Sequence, residues 1–168
     1  MSGDLRFARV GTSLGPMLLA ATPVGVAALS RDAGLAAFLA GLQRRFPASE
    51  PLPDAPGLRG QAAWLRAYVA GGRRELPSVD LAGLTAWDSR VYEAVRAIPY
   101  GGTATYGEVA SAVGSPGAAR AVGGSLSRCP LFPAVPCHRV VMAGDGFSGW
   151  GDGDIDVKRR LLDMERGR

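Results

Sequence analysis

The sequence has few side chains that bind metals. It contains one histidine, His138, and two cysteines, Cys129 and Cys137, among 168 residues. Two cysteines cannot build a disulfide framework, and this set is too small to favour a structural zinc site. We therefore expect no metal site.

Long apolar runs are also lacking. No stretch approaches the roughly 20 apolar residues that cross a bilayer. The first ten residues carry Asp4, Arg6 and Arg9 where a signal peptide would have an apolar centre. We expect a protein without a membrane partner in the reducing cytoplasm, where both thiols stay free.

A basic tail is absent as well, although the chain is basic overall. The net charge is +4, and lysine occurs once, at Lys158. This modest excess is compatible with a nucleic-acid partner but does not identify one. Hydrophobic residues make up 47% of the chain, enough to build a buried core without covalent crosslinks.

The first half predicts a small sheet with helices. Two short apolar runs bounded by turn signals predict strands, at 17–21 and 24–29. Apolar residues at helical spacing predict two helices, at 33–46 and 61–70. The proline-rich segment between them, 50–60, predicts a loop.

The second half predicts mostly helices. Thr85 can cap a first helix, with Asp88 three residues later. Further helices are predicted at 106–113, 118–126 and 157–165, and the first two of these form a helix-turn-helix in a winged-helix-like arrangement. We place the boundary after the extended segment 76–84, which gives an N-terminal α/β domain, 1–84, and a mainly α C-terminal domain, 85–168.

The segment 131–141, Leu-Phe-Pro-Ala-Val-Pro-Cys-His-Arg-Val-Val, is the most informative stretch. A cysteine reacts as its thiolate, and a nearby imidazole is the usual means of lowering its pKa. An isolated Cys-His pair is more often a small buried hydrophobe beside a core histidine. The prolines and apolar flanks place Cys137 at the edge of a core and favour the reactive alternative.

Pro-Cys-His-Arg-Val at 136–140 resembles the signature of the O6-alkylguanine-DNA alkyltransferases, also called methylated-DNA–protein-cysteine methyltransferases. The first half matches this family loosely, whereas the resemblance covers most of 85–165. It continues through Ile-Pro-Tyr-Gly at 98–101, Tyr-Gly-Glu-Val-Ala at 106–110, Ala-Ala-Arg-Ala-Val-Gly-Gly at 118–124, and Lys158, Leu161, Leu162 and Glu165.

This resemblance implies direct-reversal DNA repair. The alkyl group of O6-alkylguanine, and of O4-alkylthymine, would pass once and irreversibly to Cys137, and no cofactor would be needed. His138 would be the base that deprotonates Cys137 through a water, and Glu165 the carboxylate that orients His138. Tyr106 would assist the leaving guanine. The guanine edge would contact the backbone of Cys137 and Val140, with Ser148 near O6.

The helix predicted at 118–126 has a face of small residues with one arginine, Arg120. A helix that reads bases in the major groove needs polar side chains there, whereas small residues suit close approach in the minor groove with little sequence preference. Arg120 would enter the duplex where the damaged nucleotide swings out; the alternative is tight helix packing with Arg120 as surface charge. The expected partner is double-stranded DNA with alkylated guanine, bound by a monomer through Arg120, Tyr106, Ala119, Ala121, Gly123 and Ser125.

Two segments depart from the family pattern. Cys129 stands where the family usually has Asn, and we expect it to be a buried structural thiol kept apart from Cys137 by the intervening prolines. The link at 149–156 is longer and more acidic than usual. Its Asp152, Asp154 and Asp156 resemble the start of a calcium loop, but no Glu follows at the required place.

Two other functions remain open at this stage. The chain could be a non-catalytic binder of alkylated bases, like the alkyltransferase-like proteins, although these lack the cysteine. It could also be a hydrolase using Cys137, His138 and Glu165, which would turn over many times.

Overall fold

The computed structural model describes residues 4–31, 33–144, 146 and 155–168, which divide into two compact units. The first unit ends at Leu84 and also includes Pro130–Ala134, and the second combines Thr85–Cys129 with Val135–Arg168. The sequence-based division assigns all of 85–168 to the second domain. The structure assigns Pro130–Ala134 to the first unit instead. There, the N–H of Leu29 donates to the carbonyl of Pro130 at 2.8 Å.

Four strands form the sheet of the first unit: β1 (Arg6–Thr12), β2 (Gly15–Ala21), β3 (Val26–Ser30) and β4 (Leu52–Pro53). Their order is β3-β2-β1-β4, with β1 and β3 antiparallel to β2 and β4 parallel to β1. The sequence predicted β2 and β3 and missed β1 and β4. In β1, buried Ala8 and Val10 alternate with exposed Arg9 and Gly11, the ordinary pattern of a half-buried strand, although this run of alternation is short.

Two helices complete the first unit, α1 (Leu35–Arg45) and α2 (Arg59–Val69). They supply Phe38, Leu42 and the stacked pair Trp64 and Tyr68 to the buried core. The predicted loop at 50–60 is wrong at both ends, since β4 pairs with β1 and α2 begins at Arg59.

The second unit contains four helices among its described residues: α3 (Ala86–Arg96), α4 (Tyr106–Ala112), α5 (Ala119–Ser127) and α6 (Ile155–Glu165). A parallel ladder pairs β5 (Ala104–Thr105) with β6 (Val140–Val141). The α4–turn–α5 arrangement confirms the predicted helix-turn-helix. In the part of the chain that the structure describes, no helix is long and apolar enough to span a membrane.

Hydrogen bonds at the helix starts explain why α3 and α4 begin where they do. The Thr85 side chain accepts from the N–H of Asp88, as predicted. Thr105 and Glu108 form a full capping box that the sequence analysis missed. Each cap satisfies N–H groups that have no partner inside the helix, so the cap of α4 also fixes where Tyr106, its first residue, stands.

Candidate active site

Cys137 opens a single 3₁₀ turn, Cys137–Arg139, that leads directly into β6. The turn is held by N–H donation from Cys137 to the Val135 carbonyl at 2.8 Å and from Arg139 to the Pro136 carbonyl at 2.9 Å. Cys137 is 2% exposed and His138 is fully buried. The tight turn therefore directs three consecutive polar side chains into the interior of the second unit.

His138 and Glu165 are hydrogen-bonded, as the family resemblance implied. Nε2 of His138 lies 2.7 Å from Oε1 of Glu165, and Glu165 is the last residue of α6. Because Glu165 is an ionised carboxylate, it can only accept, so Nε2 carries the proton and Nδ1 is the basic nitrogen. Burial lowers the pKa of His138 more than Glu165 raises it, which keeps the imidazole neutral.

Arg139 is a second partner of Glu165, which the sequence analysis did not identify. Its Nε and Nη2 donate to Oε2 and Oε1 at 2.9 and 3.0 Å. Burial raises the pKa of Glu165, but hydrogen bonds from His138 and Arg139 outweigh it and lower the pKa to about 2. The bidentate pair fixes the carboxylate and thus the orientation of the imidazole.

The Ile-Pro-Tyr-Gly segment at 98–101 also hydrogen-bonds with Glu165 and Arg139. The N–H of Gly101 donates to Oε2 of Glu165 at 3.0 Å, and Nη1 of Arg139 donates to the Ile98 carbonyl at 2.7 Å. Gly101 has φ of +78°, and a Cβ there would lie 3.2 Å from the Glu165 carbonyl oxygen. This position therefore requires glycine.

The pKa of Cys137 is raised in the resting site rather than lowered. A hydrogen bond with Cys129 and burial both raise the pKa of Cys137 well above its ordinary value. Lys158 is the group whose charge lowers it. The resting acceptor is therefore a thiol, and a thiolate must form during the reaction.

Lys158, which the sequence analysis matched only to the closing helix, lies in the site. It is fully buried on α6, and its Nζ donates to the carbonyl of Val140 and lies 5.9 Å from the centre of the Tyr106 ring. Burial lowers its pKa to about 8, against an opposing effect of Cys137. The available signal was a lone lysine among apolar residues of an amphipathic helix.

Cys129 also differs from its prediction. It is partly exposed rather than buried, and it contributes to the raised pKa of Cys137.

The residues predicted to contact DNA fall into two groups. Arg120 and Ala121 are exposed on α5, and Ala119, Gly123 and Tyr106 are partly exposed. A Cβ on Gly123 would lie 3.8 Å from the Tyr106 ring, so the small residue lets α5 and α4 pack closely. Ser125, by contrast, is fully buried, and this corrects its prediction as a DNA contact.

Ser125 instead anchors α5 to α3. Its Oγ donates to Oδ1 of Asp88 at 2.6 Å, and Nη2 of Arg128 donates to the same oxygen at 2.9 Å. Burial raises the pKa of Asp88, but bonds from Ser125 and Thr85, with Arg128, lower it overall. Asp88 thereby fixes the C-terminal part of the helix that carries Arg120.

Three predicted residues, Ser148, Asp152 and Asp154, lie outside the described residues. Asp156 lies in the first turn of α6, where a carboxylate favours the positive end of the helix dipole. Within residues 4–31, 33–144, 146 and 155–168, no group of three or more potential ligands is arranged to hold a metal ion.

Comparison with known proteins identifies the family. The family model for the DNA-binding domain of 6-O-methylguanine DNA methyltransferase matches residues 86–167. A methylated-DNA–protein-cysteine methyltransferase of Mycobacterium tuberculosis is 39% identical over 150 residues, covering 88% of this chain and 90% of the relative. One from Methanosarcina acetivorans is 35% identical over 155 residues, covering 90% and 92%.

Solved structures agree with the sequence relatives. A crystal structure of the M. tuberculosis O6-methylguanine methyltransferase has a TM-score of 0.80 at 34% identity and covers 98% of this chain and 94% of the other. A structure of the M. tuberculosis protein in complex with DNA has a TM-score of 0.77 at 36% identity, covering 96% and 93%. This chain belongs to the methylated-DNA–protein-cysteine methyltransferase family.

Proposed function

We propose that this protein repairs O6-alkylguanine in DNA by transferring the alkyl group to Cys137. The observation that carries the assignment is the placement of Cys137 in the turn that also positions the buried His138–Glu165 pair. The only other cysteine, Cys129, adjoins no such pair in its own turn, and its sequence context does not match the family's acceptor.

In the transfer, the sulfur of Cys137 attacks the alkyl carbon on O6 of guanine. The S–C bond forms as the C–O bond breaks, the electron pair returns to the base, and the thiol proton ends on guanine. The product is a thioether, which neither water nor a second thiol readily cleaves. One protein molecule therefore acts once, without a cofactor.

At rest, the raised pKa keeps Cys137 protonated. His138 and Lys158 together allow its thiolate to form during the reaction. His138 takes the proton at Nδ1 through a water, while Glu165 stabilises the imidazolium through Nε2. Lys158 favours negative charge on the sulfur. Because the thiolate forms only when proton transfer is possible, the buried acceptor is protected from unrelated electrophiles.

The face of α5 and Tyr106 engages the duplex. The exposed Arg120 fills the space left when the damaged nucleotide leaves the stack, since a planar guanidinium can stack between bases. Ala119, Ala121 and Gly123 allow the backbone to approach the minor groove closely, with little sequence preference. Tyr106, beside Lys158, assists the departing guanine, whose edge meets the backbone of Cys137 and Val140. A monomer is sufficient for every step.

The test combines a duplex carrying O6-methylguanine with intact-protein mass and peptide mapping. We expect one methyl group on the peptide that contains Cys137, restored guanine in the DNA, and no second turnover. Cys137→Ser should bind the duplex and transfer nothing, whereas the matched variant Cys129→Ser should still place the methyl on Cys137. A parallel duplex with O4-methylthymine tests the second base.

Two results would replace this assignment. Tight binding of the damaged duplex by the wild type without any methyl gain would identify a non-catalytic damage binder. Repeated turnover on an ester or peptide, lost in both Cys137→Ser and His138→Ala, would identify a hydrolase.

A further inference from the structure

A second arginine lies at the opposite end of α5 from Arg120. Arg128 caps α5 at its C-terminal end, and its side chain is 59% exposed. Arg120, Gly124 and Arg128 follow one another at intervals of four residues, and residues four apart are neighbours on one face of a helix. The face that is proposed to engage the duplex therefore carries a cation near each end, with a glycine between them.

Two contacts define the position of the Arg128 guanidinium. Its Nη2 donates to Oδ1 of Asp88 at 2.9 Å, and its Nη1 lies 3.3 Å from the place that a Cβ on Gly124 would occupy. The side chain therefore runs back along α5 over Gly124, in the direction that side chains take on a helix. Any larger residue at position 124 would press on the guanidinium, so the glycine leaves room for it.

Asp88 is itself held in place by other hydrogen bonds. Its side chain is 8% exposed, and its two oxygens accept from Oγ of Ser125 at 2.6 Å and from Oγ1 of Thr85 at 2.8 Å. The bond to Arg128 thus joins a surface cation to a carboxylate that is fixed on α3. A long side chain that is already held in one position loses less conformational entropy when it binds a ligand.

The Arg128 guanidinium has more donors than the bond to Asp88 uses. A guanidinium carries five N–H donors in a planar fork, and the side chain stays more than half exposed although Asp88 holds it. Its other donors can therefore reach a group outside the protein. An arginine fork matches the oxygens of a phosphate, and most protein contacts with DNA go to the phosphate and sugar backbone.

We propose that Arg128 binds a backbone phosphate of the duplex, and that Asp88 is the positioning residue that presents its guanidinium. The two arginines of α5 then have different tasks, since Arg120 enters the stack and Arg128 contacts the backbone beside the small residues. This inference rests on the proposed function, because it takes α5 as the helix that engages DNA. Binding of an undamaged duplex measures the contact without any alkyl transfer.

The experiment measures affinity for an undamaged duplex over a salt series by fluorescence anisotropy. One phosphate contact contributes about 0.9 to the slope of log affinity against log salt, so between about 50 and about 200 mM salt wild type should lose about 3.5 times more affinity than Arg128→Ala. Arg128→Lys should keep the wild-type slope, because it keeps the charge. Arg128→Ala should also react with free O6-benzylguanine at the wild-type rate, since that substrate has no phosphate to bind.

Two control variants separate a phosphate contact from a disturbed helix. Arg160→Ala removes an exposed cation from α6, and Ser125→Ala removes a different hydrogen bond to Asp88. Both should keep the wild-type salt slope, because neither changes the charge on the face of α5. A cation that only favours the negative end of the helix dipole would change the free energy of unfolding and leave the slope as it is.

A double-variant cycle tests the role of Asp88. Asp88→Asn keeps the shape of the side chain but replaces a charge-assisted bond with a weaker one. We expect Arg128→Ala to cost less affinity in the Asp88→Asn background than in wild type, because the guanidinium is already less well placed there. If Asp88 merely offset the charge of Arg128, its removal would strengthen the attraction to phosphate, and Arg128→Ala would cost more affinity instead.

Several results would overturn the proposal. These are an unchanged salt slope in Arg128→Ala, an equal loss of slope in Arg128→Lys or Ser125→Ala, and a cost of Arg128→Ala that is equal or larger in the Asp88→Asn background. Failure of the proposed function is read separately, in wild type that gains no methyl on Cys137 from a duplex with O6-methylguanine. A slope that falls in Arg128→Ala would still support the phosphate contact in that case.

Discussion

At Glu165, one buried carboxylate accepts hydrogen bonds from His138, Arg139 and Gly101. Folding lowers its pKa to about 2, so its contribution to stability is present above the unfolded pKa of about 4.3 and is lost as the pH falls through about 2. The pKa of His138 is also lowered by burial. Below a pH of about 6.5, His138 takes up a proton in the unfolded chain but stays neutral in the folded protein. The folded state therefore loses stability as the pH falls below this value.

We expect the free energy of unfolding to fall in two stages as the pH drops, first below about 6.5 and then below about 4.5, the second worth about 3 kcal/mol. Glu165→Gln should be less stable at neutral pH, because it leaves the buried Arg139 charge uncompensated, and should lose much less between pH 5 and 2. Urea unfolding at each pH measures this. Asp163→Asn on the same helix is the control. If that variant also lost much less unfolding free energy between about pH 5 and about pH 2, the assignment to Glu165 would be contradicted.

A separate prediction concerns the effect of Lys158 on the pKa of the Cys137 thiol. Its charge lowers the pKa of Cys137, so removing the charge raises that pKa and leaves less thiolate at a given pH. For Lys158→Met we expect slower reaction with free O6-benzylguanine at neutral pH and a rate profile displaced to higher pH, with recovery in alkali. Arg160→Met, an exposed cation of the same helix, should leave the profile in place. A uniform loss of rate at every pH in Lys158→Met would point to a disturbed structure instead.

The sequence predicted the residues of the short motifs and, through the family resemblance, one contact between motifs. Cys137, His138 and Glu165 followed from the family resemblance, and the His138–Glu165 bond is present. Arg139, Lys158 and Cys129 were not placed in the site, because each gains its role from a residue distant in sequence: Glu165, Val140 and Cys137, respectively. A charged residue on an amphipathic helix normally faces solvent, so the burial of Lys158 becomes visible only when the fold brings the thiol beside it.

At the scale of the element, α5 combines an exposed face with a buried anchor. Its small residues were recognised in the sequence, but Ser125 could not be distinguished from the others by size alone. The structure separates them, because Ser125 bonds to Asp88 while Arg120 and Ala121 remain exposed. Capping residues located the start of α3 to the residue. β4 was missed because its pairing with β1, not apolar alternation, defines this two-residue strand.

A substitution of Arg120 tests the role of α5. We expect Arg120→Ala to slow repair of O6-methylguanine in a duplex much more than reaction with free O6-benzylguanine, because only the duplex requires a nucleotide to leave the stack. Arg59→Ala removes the same charge from the exposed surface of α2 in the first unit and should affect neither reaction. Rates of methyl gain by mass spectrometry provide the measurement, and equal losses on both substrates would show that Arg120 supports the fold rather than extrusion.

For the whole molecule, the sequence predicted the fold class, with a sheet and helices followed by a mainly helical unit. It missed that Pro130–Ala134, a segment next to the acceptor in sequence, belongs to the first unit. Local patterns assign a residue to an element, but hydrogen bonds such as that from Leu29 to Pro130 decide which unit the element joins. The chain between α5 and Cys137 therefore passes through the first unit and returns.

The last prediction concerns the charge of the whole chain, which is +4. In the proposed mode of binding, affinity comes mainly from phosphate contacts, and each contact contributes about 0.9 to the slope of log affinity against log salt. We expect binding of undamaged duplexes to weaken steeply with salt, with the same slope for two duplexes of unrelated sequence. Arg120→Ala should change that slope by at most about 1, since it removes one cation. Fluorescence anisotropy over a salt series measures both quantities. A difference in affinity between the two duplexes at the same salt and equal length would indicate base recognition, contrary to the proposed mode of binding.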